Sequence, residues 1–211
     1  MCGRLPGQWR PEPICGKITE REVRPLHSIY LYEGPFEKGE KGYPMIREAA
    51  RRYALERGLD VHWSQAQIVR EEKGKPYFAD IPLEFSLTHS GQLWMCLFSP
   101  LPCGIDLQHV KPMEYEKAAK RQYTDQEQHY VRLWGLDGFF DVWVRKEAFC
   151  KCTGQGFFSQ MPSMVDGSQN LCEEITWKNK RYCFTEIPIA DDLKCVVCGE
   201  DKMDIEMRIL G

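Results

Sequence analysis

The stretch FSLTHSGQLWMCLFSPLPCGIDLQ, residues 85–108, decides the fold class of this chain. A turn at Gly91 and a second, proline-containing turn separate three short apolar runs, which cover 85–90, 93–98 and 104–108. Runs of this length between turn residues predict three consecutive β-strands. In the third strand, Asp106 and Gln108 are two residues apart, so their side chains share one face of the strand. Gly104, just before them, lets another backbone approach closely.

Helix and strand patterns alternate in blocks on both sides of this stretch. Upstream, a strand is predicted over 28–32 and a helix over 45–58, after Pro44 and closed by Gly58. Downstream, helical periodicity and a capping box predict three helices, which cover 112–122, begin at 124–127 and cover 139–152. Three strands are predicted after them, over 173–177, 181–186 and 194–198. This arrangement favours an α+β fold over a doubly wound parallel sheet.

The chain length allows one large domain or two small ones. We expect two subdomains, 1–101 and 102–211, which meet near residues 101–104. Residues 1–27 are rich in Pro, Gly and charged residues, which predicts an irregular lead segment.

Composition excludes several classes of protein. The 211 residues are 43% hydrophobic and 28% charged, which is typical of a folded globular protein. A formal net charge of -3 argues against broad binding of nucleic acid, because such domains carry a basic excess. No apolar run approaches the roughly 18 residues that span a bilayer, and residues 1–10 lack the apolar core of a signal peptide. We therefore expect a cytoplasmic monomer without membrane or nucleic-acid partners.

Ten cysteines leave one alternative open. Cys195 and Cys198 have the spacing of a metal-ligand pair, and Cys150 and Cys152 could supply two further thiolates. Neither pair has the regular partner spacing of a zinc module, and several cysteines lie in apolar strand patterns. Buried thiols are the favoured interpretation, and a zinc-dependent interaction protein is the alternative.

Four sequence blocks carry the candidate chemistry when they are taken together. They are GKPYF at 74–78, FSLTHSG at 85–91, GIDLQ at 104–108 and WVRKEAFCKCTGQG at 143–156. Singly, each has an ordinary explanation: Glu147 and Lys151, for example, form an i,i+4 pair of the kind found on many helix surfaces. In this order, however, the blocks resemble the 4'-phosphopantetheinyl transferases of the surfactin-synthetase type. The resemblance covers about residues 74–156, and the WxxKEAxxKxxG pattern is its most specific part.

The resemblance implies a fold of two similar subdomains related by pseudo-twofold symmetry. It also implies transfer of 4'-phosphopantetheine from coenzyme A to a serine of an acyl or peptidyl carrier protein, with release of adenosine 3',5'-bisphosphate. Asp106 and Glu147 would bind magnesium, which prefers carboxylate oxygens, waters and substrate phosphate as ligands. Glu147 is also the candidate base, and Lys151 would neutralise the leaving phosphate.

The same resemblance implies the residues that contact coenzyme A. Lys75 and Pro76 of the GKP turn would lie beside the adenine and its 3'-phosphate region. His89 and Ser90 would contact phosphate oxygens. Glu127 falls near the family's reactive centre, although the capping box that Thr124 begins explains both residues without catalysis.

Gln108 departs from the pattern, because many relatives have a second acid at this position. A neutral amide can still offer its carbonyl oxygen, or a water can replace it, but the site has one negative charge fewer. The alternative function is therefore a module that binds coenzyme A or a carrier protein without efficient transfer.

Overall fold

A computed structural model of the chain describes residues 27–59, 61, 63, 66–70, 74–156 and 161–211. Within these ranges the helices are α1 (Tyr43–Arg57), α2 (Tyr115–Gln122) and α3 (Asp125–Thr153), and a 3₁₀ turn (Gly39–Gly42) precedes α1. The strands are β1 (His27–Glu33), β2 (Ile68–Arg70), β3 (Pro76–Phe78), β4 (Glu84–Ser90), β5 (Leu93–Ser99), β6 (Cys103–His109), β7 (Glu174–Trp177), β8 (Lys180–Glu186), β9 (Leu193–Gly199) and β10 (Ile205–Ile209). The predicted lead segment over 1–27 lies outside the described residues, apart from His27.

Two four-stranded sheets form most of the framework. The first has the strand order β10-β1-β5-β4, the second has the order β6-β9-β8-β7, and β2 pairs with β3 separately. All strand pairs are antiparallel except β1 with β10. The predicted mixed α+β class is therefore confirmed. Sequence analysis did not predict β10, which returns from the C-terminal part of the chain to the edge of the first sheet.

Helix α1 buries one face against the first sheet. Ile46, Ala49, Ala50 and Tyr53 recur at three- and four-residue spacing and are buried with residues of β1 and β5. A proline occupies its first turn, and Gly58 ends it in the left-handed conformation with φ 65°. The helix that sequence analysis predicted over 45–58 is thus present and begins two residues earlier.

Helix α3 runs across the second sheet and is the longest helical element. The predicted capping box is present, because the Thr124 side chain accepts from the Glu127 backbone N–H and the Glu127 carboxylate accepts from the Thr124 N–H. The helices predicted to open at 124–127 and to cover 139–152 are parts of this one element, which is interrupted only by a kink at Gly135 (φ 60°, ψ -136°). No helix in the described ranges combines the length and the apolar character needed to cross a membrane.

The C-terminal half of α3 packs directly on β6. A Cβ atom at Gly104 would lie 1.9 Å from the Ala148 carbonyl oxygen and 2.6 Å from the Cys152 nitrogen, so only glycine permits this approach. The close approach that the sequence predicted at Gly104 is thereby explained. The other side of β6 faces the first sheet, where Ile105 and Leu107 pack with Leu97 in a shared apolar cluster. Strand β6 therefore lies between the first sheet and α3.

We predict that Gly104→Ala lowers the free energy of unfolding by roughly 1–3 kcal/mol, because the added methyl group meets backbone atoms that cannot move aside cheaply. Urea unfolding measures this change. Gly167→Ala is the matched control, since a Cβ there meets nothing within 4 Å and it should leave stability nearly unchanged. Equal stability of the two variants would mean that α3 does not pack on β6 in this way.

Candidate active site

A cleft of about 560 Å³ opens where the first sheet, β6 and the C-terminal half of α3 meet. Most of the residues that sequence analysis selected line it, namely Lys75, Pro76, His89, Asp106, Gln108, Glu147 and Lys151. They come from the start of β3, from β4, from β6 and from α3. Side chains that are up to 76 residues apart in the sequence thus reach one space.

Asp106 is the most enclosed of these groups, with 3% of its surface exposed. Its Oδ1 accepts from Lys151 Nζ at 2.7 Å and from Thr88 Oγ1 at 3.1 Å, and its Oδ2 accepts from Gln108 Nε2 at 3.2 Å. A buried carboxylate needs such donors, because removing a charge from water without compensation is costly. Three side chains from three different elements therefore hold this carboxylate in place.

Lys151 connects the helix to the strand. Its Nζ donates to the Ile105 carbonyl oxygen at 2.9 Å and to Asp106 Oδ1. An ammonium group has three N–H donors, so one remains for a ligand in the cleft. The predicted i,i+4 partner of Lys151, Glu147, is not its ion-pair partner here: Lys151 pairs with Asp106.

Glu147 also lines the cleft, but its carboxylate makes no hydrogen bond or ion pair with any other described residue. Burial raises the pKa of its carboxyl group, and the charge of Asp106 raises it further, whereas Lys151 lowers it. Two carboxylates that share one cationic side chain leave an excess of negative charge. A cation in the cleft would relieve this excess.

The available oxygen atoms fit a small, hard cation with few protein ligands. They are the carboxylates of Asp106 and Glu147 and the carbonyl oxygen of Gln108, which makes no hydrogen bond with a described residue. Among the described residues there is no group of three or more His, Cys, Asp or Glu side chains that could hold a metal. Magnesium suits this limited set, because it is commonly bound by one or two carboxylates together with substrate phosphates and water.

Positively charged side chains also line the cleft. Lys75 Nζ lies 3.6 Å from Glu84 Oε2 and 3.5 Å from the Cys103 carbonyl oxygen. The His89 ring packs against Phe36 with 5.3 Å between ring centroids. Burial lowers the pKa of His89, and the positive charges of Lys38 and Lys151 lower it further. This positive potential favours an anionic ligand.

Three further cleft residues were not selected from the sequence. Arg70 donates from Nε to the Tyr43 hydroxyl at 3.2 Å and from a terminal nitrogen to the Gly74 carbonyl oxygen at 2.9 Å, which fixes it beside the GKP turn. Lys38 lines the cleft from the loop before α1, and Thr88 lines it from β4. The sequence indicates that Arg70 lies near the GKP turn only through its position, four residues before Gly74. No local pattern indicates that Thr88 contacts Asp106.

Ser90 and Glu127 lie apart from the cleft lining. The Ser90 hydroxyl accepts from the His109 backbone N–H at 3.0 Å and is 2.9 Å from His109 Nδ1. Its predicted contact with phosphate stays a prediction. Glu127 is fully buried, pairs with Lys146 at 3.0 Å and accepts from the Met164 N–H. This buried ion pair and the capping box account for Glu127 as a structural residue.

The cysteines proposed for zinc are all free thiols. Cys150 lines the cleft and contacts the Met161 sulfur at 3.4 Å. Burial raises the pKa of Cys150 and of Cys195 to about 12, which disfavours the thiolate that binds metal. The zinc alternative gains no support from these contacts.

Comparison with known proteins places the chain in one family. The family model of the 4'-phosphopantetheinyl transferase superfamily matches residues 102–198. The putative 4'-phosphopantetheinyl transferase of Synechocystis sp. is 31% identical over 173 residues, covering 74% of this chain and 69% of that protein. The chain belongs to the 4'-phosphopantetheinyl transferase superfamily.

Two other relatives match over shorter shares of their length. The 4'-phosphopantetheinyl transferase Sfp of Bacillus subtilis is 31% identical over 119 residues, which cover 53% of this chain and 52% of Sfp. The L-aminoadipate-semialdehyde dehydrogenase-phosphopantetheinyl transferase of Rattus norvegicus is 26% identical over 173 residues, which cover 74% of this chain and 56% of the rat protein. The chain thus spans little more than half the length of these two relatives.

We predict that Glu147→Gln stabilises the metal-free protein at neutral pH. Because the folded-state pKa of Glu147 is raised above its usual value near 4.5, its ionisation favours the unfolded state as pH rises through that range. The stability gain of the variant should therefore be absent below about pH 4 and be complete above the folded-state pKa of Glu147. Chemical unfolding with a chelator present, between pH 4 and pH 8, measures it.

Glu173→Gln removes an exposed carboxylate and serves as the control, with little change expected at any pH. A Glu147→Gln variant that loses stability at pH 7 would show that the carboxylate has a favourable partner in the metal-free fold.

Proposed function

We propose that this protein transfers 4'-phosphopantetheine from coenzyme A to a serine of an acyl or peptidyl carrier protein. The observation that carries the proposal is the Glu147 carboxylate, which lies beside Asp106 and has no hydrogen-bond or ion-pair partner among the described residues, in a cleft that Lys38 and Lys75 also line. Such a cleft suits a metal-bound pyrophosphate. The names of the relatives, which are 4'-phosphopantetheinyl transferases, support the same reaction.

In the proposed reaction the serine oxygen attacks the β-phosphorus of coenzyme A. The new bond is the serine phosphoester, the bond that breaks joins this phosphorus to the bridging oxygen of the pyrophosphate, and adenosine 3',5'-bisphosphate leaves. The serine proton passes to Glu147, directly or through a water. A raised pKa suits this role, because a base works best when its pKa lies near the working pH.

Asp106, Glu147 and the Gln108 carbonyl oxygen would hold magnesium. When bound, the metal supplies charge neutralisation at the pyrophosphate. Lys151 would donate its remaining N–H to the leaving phosphate, and its other two contacts, with Ile105 and Asp106, support this role because they orient the ammonium group. Asp106 orients Lys151 and is not itself the base.

We propose that Lys75, Pro76 and His89 contact the nucleotide part of coenzyme A. Arg70, fixed beside the GKP turn, and the exposed Lys38 add positive charge where a 3'-phosphate would lie. Ser90 remains a proposed phosphate contact, which would require its hydroxyl to leave His109.

We also propose that the two sheets are the cores of two similar subdomains, 1–101 and 102–211, related by a pseudo-twofold axis. The strand orders of the two sheets support this, because β1-β5-β4 in the first corresponds to β6-β9-β8 in the second. In each set, a helix follows the first strand along the chain, and the other two strands form an antiparallel pair. Strand β10 then crosses back to the first subdomain. We also propose that the protein acts as a monomer in the cytoplasm.

The test is transfer to a panel of purified apo-carrier proteins, followed by intact mass spectrometry. We expect one carrier to gain the mass of a single phosphopantetheine, and this gain should need both coenzyme A and magnesium. Glu147→Gln should slow transfer by at least about 100-fold, because it removes a ligand and the base together. Glu173→Gln should transfer at the wild-type rate. Binding of coenzyme A without a mass gain on any carrier would favour the binding-module alternative.

A further inference from the structure

Strands β4 and β6 lie side by side but belong to different sheets. Three hydroxyl groups of β4 replace the usual backbone pairing between them. The oxygens of Ser86, Thr88 and Ser90 each accept from a backbone N–H of β6, at Ile105, Leu107 and His109 in that order, and each distance is 3.0 Å. Alternate residues of one strand thus bond to alternate residues of the other, and we call these three contacts the hydroxyl ladder.

Thr88, which makes the middle contact of the hydroxyl ladder, differs from Ser86 in one respect. A hydroxyl group has one proton to donate, and the Thr88 hydroxyl donates it to Asp106 Oδ1 at 3.1 Å while accepting from Leu107. Thr88 is buried, and threonine has few χ1 rotamers, so its oxygen is held rigidly. The orientation of the Asp106 carboxylate is therefore set in part from the neighbouring sheet.

The other two donors to Asp106 are less buried than Thr88. Gln108 is half-buried and ends in a flexible amide, and Lys151 is 26% exposed on its side-chain atoms and faces the cleft. A ligand in the cleft competes for both of these groups. Thr88 faces less competition, because it is buried and its single proton is used within the protein.

We propose that Thr88 is a positioning residue, which holds the Asp106 carboxylate in the orientation that the metal-bound substrate requires. The effect that this positioning has on metal binding and on transfer rests on the function proposed above. The hydroxyl group, and not the shape of the side chain, performs this task. Thr88→Val therefore removes it, and Thr88→Ser keeps it.

Ser86 supplies the matched control. Its hydroxyl is also buried and also accepts from a β6 N–H at 3.0 Å, but it contacts no carboxylate of a described residue. Ser86→Ala thus breaks one rung of the hydroxyl ladder and leaves all three donors to Asp106 in place. An effect that Thr88→Val and Ser86→Ala share is therefore due to the loss of one hydrogen bond between β4 and β6, and not to the contact with Asp106.

The first measurement is binding of Mn²⁺, as a spectroscopic substitute for magnesium, in the presence of coenzyme A. Electron paramagnetic resonance of the free ion gives the dissociation constant without any transfer reaction. We expect Thr88→Val to weaken binding about tenfold, as is typical when a group that orients a metal ligand is lost. Thr88→Ser and Ser86→Ala should bind as the wild type does. Equal affinity of Thr88→Val and Thr88→Ser would overturn the proposal.

The second measurement needs neither metal nor substrate. Unfolding of Thr88→Val, Asp106→Ala and the double variant forms a cycle, and a second cycle replaces Thr88→Val with Ser86→Ala. We expect non-additive losses in the first cycle and additive losses in the second. Additive losses in both would overturn the role of Thr88. If the wild type binds no Mn²⁺, the metal part of the proposed function is wrong, and the two cycles alone decide the inference.

Discussion

The position of β6 between two unlike neighbours is the constraint on which the rest of the structure depends. On one side Gly104 lets α3 approach until backbone meets backbone, and on the other the hydroxyl ladder joins β6 to β4. Because both contacts involve backbone atoms, neither depends on a long side chain that could move. Asp106, in the middle of β6, is consequently held at the point where helix, strand and neighbouring sheet meet.

The charges of the cleft follow from this placement. Two carboxylates, Asp106 and Glu147, come within electrostatic reach of each other, and only one cationic side chain, Lys151, forms an ion pair with either among the described residues. Burial makes this imbalance costly, because screening by water is weaker inside the cleft. A protein optimised for stability alone would have little reason to keep Glu147 there. The imbalance is consistent with a site that is completed by a cation and by phosphate.

Local sequence patterns predicted the elements that local physics determines. The capping box at Thr124, the glycine end of α1 and the strand runs of 85–108 depend on neighbours in the chain, and each is present. The family resemblance, rather than periodicity, brought Asp106 and Glu147 together. Strand β10 was missed because its partner β1 is nearly 180 residues away and its own alternating run is short.

The site details that sequence analysis missed are likewise long-range contacts. Thr88 and Asp106 are 18 residues apart, in strands of different sheets, and nothing in THSG indicates which of its hydroxyl groups meets the carboxylate. The structure pairs Ser90 with His109, which lies 19 residues away, while the predicted contact of Ser90 with phosphate stays a prediction. The kink at Gly135 was missed for a local reason, since the helix resumes at once and the interruption looks in sequence like a loop.

The central claim is that Asp106 and Glu147, which come from a strand and a helix, form one metal site that faces the pyrophosphate of coenzyme A. Diffraction from crystals soaked in Mn²⁺ and coenzyme A tests it most directly, through an anomalous difference map. The account predicts a metal peak between these two carboxylates, with pyrophosphate oxygens among its ligands. A metal peak away from both carboxylates, or a pyrophosphate bound outside the cleft, would contradict it.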